Sequence, residues 1–275
     1  MFALWILSLR IRAFLNLIST IFLNGLNLSI DMNSTDRFLL AKKAIKDAHS
    51  RYNIGTYKEK SQHLFLKHFY EPDVSYHEVP FEGYIADILN DEGITEIQTA
   101  GFRALHDKLT VFLPLHRVTV VYPVQSKAKV VWTDTETGES AEGRLISYPK
   151  AQYRLFSELL SICDYLKDEK LSIHVVCMSV TNRKALDGYG ADRKKKATKL
   201  DSVPEEVLDI QVLESFEDIK AFFPFNSGER ITASDISKKL GLKRMALWRA
   251  IKFLTASEII KATDKKRNAV VYSVN

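Results

Sequence analysis

The sequence predicts an α/β chain, with a central sheet flanked by helices and a small helix–turn–helix module closed by two short strands. Three observations predict it. Residues 34–124 change periodicity in the order helix, helix, three strands, helix, strand, which suits a sheet with helices layered on it. Residues 116–124 and 171–180 are β-branched runs that read as buried strands. Residues 232–235, Thr-Ala-Ser-Asp, form a capping-box signature, followed by Gly241 and a longer apolar helix.

The bulk properties set limits. The chain has 275 residues, 46% hydrophobic and 27% charged, with a net charge of +5, ordinary for a globular protein with material for a sizeable core. An anionic partner is tolerated but not demanded. Cys163 and Cys177 both lie in apolar runs without a CxxC pair, which argues against a disulfide framework or thiolate zinc site and for a reducing, cytoplasmic setting. The seven histidines show no paired metal-ligand spacing, and GxSxG, Walker and GxGxxG patterns are absent, so nucleophilic catalysis and a small-molecule nucleotide cofactor are not expected.

Residues 1–31 are apolar but interrupted by Arg10 and Arg12. The apolar run precedes the arginines, the reverse of a signal peptide, and 13–30 is at the short edge for a membrane span. The simplest reading starts the working chain at Met32 and leaves 1–31 outside the fold. A membrane anchor and a cleaved signal are the alternatives, and membrane contact is expected only if the segment is retained.

Residues 34–49 form an amphipathic helix with Phe38, Leu39, Ala41, Ala44, Ile45 and Ala48 on a broad face. Residues 58–70 form a second, packing Leu64, Phe65, Phe69 and Leu66, with Glu59 in its first turn, where an acid also suits the helix dipole. A strand is expected over 74–80. The apolar runs 84–89 and 94–99 flank Asn90-Asp91-Glu92-Gly93, turn chemistry that predicts a β-hairpin. Each run carries one acid, Asp87 and Glu96, and alternation puts Glu96 and Gln98 on one face. A strand carboxylate is costly to bury without a positive partner, and two that converge suit a hard divalent cation. Either acid alone would equally serve as a solvent-facing or ion-paired residue. A helix over 102–112 and the strand 116–124 complete this part.

Glu59 on a helix, Asp87 on a second strand, Glu96-Ile97-Gln98 on a third, then helix and strand, resembles the PD-(D/E)XK (restriction-endonuclease-like) nuclease superfamily, whose core is an α-β-β-β-α-β unit. The resemblance covers about residues 34–125. It implies metal-assisted phosphodiester hydrolysis, with Asp87, Glu96 and the Ile97 carbonyl holding Mg²⁺ or Mn²⁺, Glu59 orienting a second ion or water, and Gln98 positioning the water. Two departures stand out: Gln98 replaces the usual strand lysine, and Ala86 precedes Asp87 in place of proline. A compensating cation would come from Arg103, Lys108 or Arg117. Cleavage of both strands would favour a homodimer.

Residues 129–133 and 143–148 suggest a longer hairpin, 151–166 a helix and 171–180 a buried strand. Residues 187–196 make a basic loop in which Arg193, Lys194, Lys195 and Lys196 are either solvated surface or phosphate contacts. Residues 199–212, with Pro204 and several acids, read as a connection, so a nuclease-like domain is expected over 32–200 and the terminal module over 201–275.

In the terminal module 214–223, 232–240 and 243–256 read as helices and 259–274 as a two-stranded wing. This resembles the winged-helix DNA-binding family. Residues 235–275 carry ten Lys or Arg against three Asp or Glu, a net +7. The resemblance places Lys243, Arg244, Trp248, Arg249 and Lys252 on the outer face of a recognition helix, and Lys265, Lys266 and Arg267 on the flanking backbone. Three functions are therefore expected in order: a Mg-dependent DNA endonuclease, a nuclease-like DNA binder that has lost catalysis, and a protein-interaction adaptor.

Overall fold

The computed structural model describes residues 32–51, 60–99, 101–190, 196–266 and 269–275. Two helices come first. Helix α1, Ser34–Arg51, starts where the Asn33 side chain accepts the Asp36 N–H at 3.0 Å. It buries Ala41 and Ile45, while Leu39, expected inward, is exposed. Helix α2, Ser61–Tyr70, buries Phe65, Leu66 and Phe69. Its N-cap residue Lys60 makes no side-chain capping bond. Instead buried Asp201, from a distant strand, accepts both the N–H and the hydroxyl of Ser61. His49 Nε2 closes the cluster, 2.9 Å from Ser61 Oγ and 3.7 Å from Asp201 Oδ2. One nitrogen faces both partners, so the three groups pin the orphan end of α2 and do not form a proton relay.

One turn of 3-10 helix at Val74–Tyr76 delays the first strand, β1, to His77–Phe81. Strands β2, Tyr84–Asn90, and β3, Gly93–Ile97, form the expected hairpin. Gly93 has φ +125°, and a Cβ there would collide with the backbone carbonyl of Arg117. This close approach lets the Ile94 N–H reach the same carbonyl at 2.9 Å. Gly93→Ala should therefore cost about 3 kcal/mol. Chemical denaturation checks this, and a cost under about 1 kcal/mol would show that the Arg117 strand gives way.

Helix α3, Leu105–Phe112, carries the chain across to β4, Val118–Asp134, which runs parallel to β3. The predicted separate strands 116–124 and 129–133 are one strand, with a register slip between Gln125 and Lys127. Short strands β5, Ser140–Glu142, and β6, Ile146–Ser147, pair antiparallel with its far half. The helix predicted over 151–166 is broken, with only α4, Leu155–Glu158, α-helical between two 3-10 segments. The backbone leaves helical geometry at Ile162, with φ −126°, and Arg249 Nε donates to the Ser157 carbonyl within the broken stretch at 2.9 Å.

Strand β7, Leu171–Leu186, lies parallel to β4, and β8, Thr198–Leu213, returns antiparallel to it. The connection predicted over 199–212 is thus a strand of the main sheet, which ends at Leu213. Pro204 is accommodated because β8 is an edge strand. The sheet order is β1-β2-β3-β4-β7-β8. Helices α1 and α2 cover one face through Phe65, Ile97, Val121 and Val176. Helices α3 and α4 cover the other, as two same-handed crossovers in one direction require.

The terminal module follows as α5, Phe216–Ala221, β9, Arg230–Thr232, α6, Ala233–Leu240, α7, Arg244–Ala256, β10, Ile260–Lys266, and β11, Ala269–Val274. The predicted capping box is present, with Thr232 and Asp235 exchanging hydrogen bonds, and Gly241 closes α6 at φ +71°. Its strands form a separate sheet, ordered β10-β11-β9. The module is not detached. Ile236, Phe253 and Leu254 share one buried cluster with Val120, Phe156 and Leu159 of the larger unit. Among the described residues no helix is long and apolar enough to cross a membrane; residues 1–31 lie outside them.

Candidate functional site

The backbone pairing of β2 and β3 stops at Ile88 and Thr95, and beyond it the two predicted acids bridge the strands. Asp87 Oδ2 accepts the Ile97 N–H at 2.7 Å, and Glu96 Oε1 accepts the Asp87 N–H at 3.4 Å. Glu96 is completely buried, so its charge needs a partner. Lys108 supplies it. Leu105, Leu109 and Phe112 of α3 are buried, and Lys108 borders that stripe, so its stem lies along apolar surface. Its ammonium reaches Glu96 Oε1 and Oε2 at 2.9 and 2.8 Å and the Ile85 carbonyl at 2.7 Å. Of the three cations expected to compensate for Gln98, Lys108 makes the contact, while Arg103 and Arg117 are exposed.

Asp87 is served from α2, where His63 Nε2 lies 3.2 Å from Oδ2. Burial pushes the Asp87 carboxyl upward, but His63, the Ile97 N–H and the Lys108 charge outweigh it and hold the group below the usual range. Glu96 goes the other way. Burial first, then the neighbouring Asp87 charge, push it up to about 7 against the pull of Lys108. Two carboxyls with opposed shifts in one place are a common feature of acid–base and metal sites. Gln98 stands beside them, its amide 3.5 Å from Glu96 Oε2 and its backbone N–H on the Val121 carbonyl. Glu59 lies outside the described residues. Among those described, no group of three or more His, Cys, Asp or Glu is placed to hold a metal ion.

The predicted nucleic-acid contacts divide. Lys243, Arg244, Trp248 and Lys252 are exposed along α7, with the Lys252 ammonium 4.8 Å from the Trp248 ring centre. Arg249 is not on that face. It turns to the sheet unit and donates to the Ser157 carbonyl and to Ser161 Oγ, both at 2.9 Å. Helical position alone made it look outward, but it docks the module. Lys265 and Lys196 are exposed. Arg193, Lys194, Lys195, Arg267 and the Lys266 side chain lie outside the described residues. His63 went unpredicted, since a lone histidine on an amphipathic helix carries no signal of what it faces.

Residues 60–214 match the model of a family described as a domain of unknown function, DUF8091, so the match runs from the N-cap of α2 to the end of β8. A Treponema pallidum (strain Nichols) protein named "Uncharacterized protein" is 32% identical over 164 residues. That similarity covers 59% of this chain and 64% of the relative, so the chain spans somewhat under two thirds of the relative's length. No solved structure matches the chain. The matched segment holds the whole main sheet, both acids, His63 and Lys108, and on that match the chain belongs to the DUF8091 family.

Proposed function

We propose that the chain is a metal-dependent, endonuclease-like protein that hydrolyses DNA phosphodiester bonds and grips the duplex with its C-terminal module. The reading rests on the convergence of Asp87, Glu96 and Lys108 at the end of β3. Element order supports it: α2, the antiparallel run β1–β2–β3, α3 and the parallel β4 follow the order of a restriction-endonuclease-like core. The order α5, β9, α6, α7, β10, β11 is that of a winged helix.

The acids offer hard oxygen donors that suit Mg²⁺ or Mn²⁺, with the Ile97 carbonyl as the third donor the resemblance implies. Such an ion, when bound, would supply an activated water and charge neutralisation at the phosphate. Asp87 is kept ionised by His63 and the Ile97 N–H. Lys108 supplies the positive charge that Gln98 lacks, and Gln98 orients water through its amide. On α7, Lys243, Arg244 and Lys252 meet phosphates, with Lys265 on the wing.

One observation favours a second reading, in which the core binds DNA without cutting it. Lys108 already holds both Glu96 oxygens and neutralises the acid as a built-in cation. Full-length protein incubated with supercoiled plasmid and Mg²⁺ or Mn²⁺, or with chelator, separates the two. Metal-dependent nicking that Asp87→Ala/Glu96→Ala abolishes is the expected result. Binding that weakens with salt, without nicking, would establish the second reading; neither would leave a protein-interaction adaptor.

A further inference from the structure

A cleft of about 880 Å³ opens between the chain just after β3, the middle of β4 and the α6–α7 turn of the C-terminal module. It is separate from the carboxylate pair, none of whose residues line it. Where β4 and β7 pass beneath it, β4 presents Gln125 and β7 presents Asn182. These amides join Ser202 in a closed ring: Asn182 Nδ2 donates to Gln125 Oε1 at 3.1 Å, Ser202 Oγ to Asn182 Oδ1 at 2.6 Å, and Gln125 Nε2 to Ser202 Oγ at 3.4 Å. Each amide nitrogen spends one of its two N–H donors in the ring, so a second is left on each.

The rest of the lining carries three cations, Lys150, Arg154 and Lys243, against one acid, Glu158. Lys150 is fixed in place, its ammonium 2.6 Å from the Lys238 carbonyl. Arg154 and Lys243 are exposed, and Tyr148 lines the cleft with nearly half its surface open. Cations, an open aromatic ring and oriented amide donors together match the phosphates, face and edge of a nucleotide. The volume suits a segment of one strand and is too small for a duplex.

We propose that this cleft binds a single strand of nucleic acid. Phosphates lie along Lys150, Arg154 and Lys243, one base stacks on Tyr148, and its edge takes the spare N–H groups of Gln125 and Asn182. The proposal borrows its ligand class from the nucleic-acid reading above but is independent of cleavage.

The test is anisotropy of a short labelled oligothymidylate with the full chain in chelator. Expected is binding whose logarithm falls with log salt at a slope of about −2 for three phosphate contacts. Arg154→Glu/Lys243→Glu should weaken it at least about tenfold, and Asn182→Asp, which replaces both amide N–H donors by a negatively charged oxygen at constant shape, several-fold. Lys43→Ala/Lys46→Ala, exposed on α1 and outside the cleft, should leave it unchanged. Asp87→Ala/Glu96→Ala should also leave it unchanged, so a failed cleavage reading would not imitate a failed cleft. No binding, or binding indifferent to both cleft variants in protein of unchanged melting temperature, overturns the proposal. So does free thymidine monophosphate competing as well as the oligonucleotide. If the charge reversal lowers the melting temperature, Asn182→Asp decides.

Discussion

Lys108→Met should lower the stability of the fold by about 3 kcal/mol, because it strands a fully buried carboxylate while keeping the length of the side chain. Adding Glu96→Gln should recover most of that loss, since an amide needs no counter-charge. The pair also sets a pH dependence. Glu96 titrates at about 7 in the folded chain, against an ordinary 4.5. Between those values the folded chain keeps a proton that the unfolded chain has released, so this group's contribution to stability falls as pH rises through the window. Asp87, shifted down, acts only at more acid pH, where its contribution is lost as pH falls through its folded value. Urea denaturation of the parent and Glu96→Gln at about pH 5 and about pH 8 reads the difference. A gap between the two proteins that does not change with pH would show that Glu96 stays ionised throughout.

Phe156→Ala has the second large effect, about 4 kcal/mol and a fall in melting temperature of roughly 10 °C. The ring is fully buried and meets Phe222, Phe223 and Phe253 with centroids 5.6, 5.6 and 6.3 Å apart. It belongs to the sheet unit and its neighbours to the C-terminal module, so the cavity weakens the joint between them. Hydrogen exchange followed by mass spectrometry should show α7 and the centre of β4 losing protection together. Loss confined to α7, with β4 untouched, would mean that the module opens on its own.

The hairpin around Gly93, the capping box at Thr232 and the strands of β-branched residues are local matters. Turn geometry, capping bonds and side-chain alternation act over a few residues, so the sequence by itself determined those elements, the α/β class and the placing of Asp87 and Glu96 on adjacent strands. The tertiary structure decided what those acids face. Lys108 is one cation of many in the sequence, and only the packing of α3 on the sheet selects it over Arg103 and Arg117. Distance in the chain also hid β8: Pro204 and its acids read as a linker because an edge strand's pairing is invisible until its partner β7 is in place. Arg249 shows the same limit from the other side. Helical periodicity fixes which residues share a face, but which face turns to solvent depends on a buried carbonyl at Ser157 far away in sequence. Local propensity is written residue by residue, whereas the desolvation of a charge is settled only when the chain has closed around it.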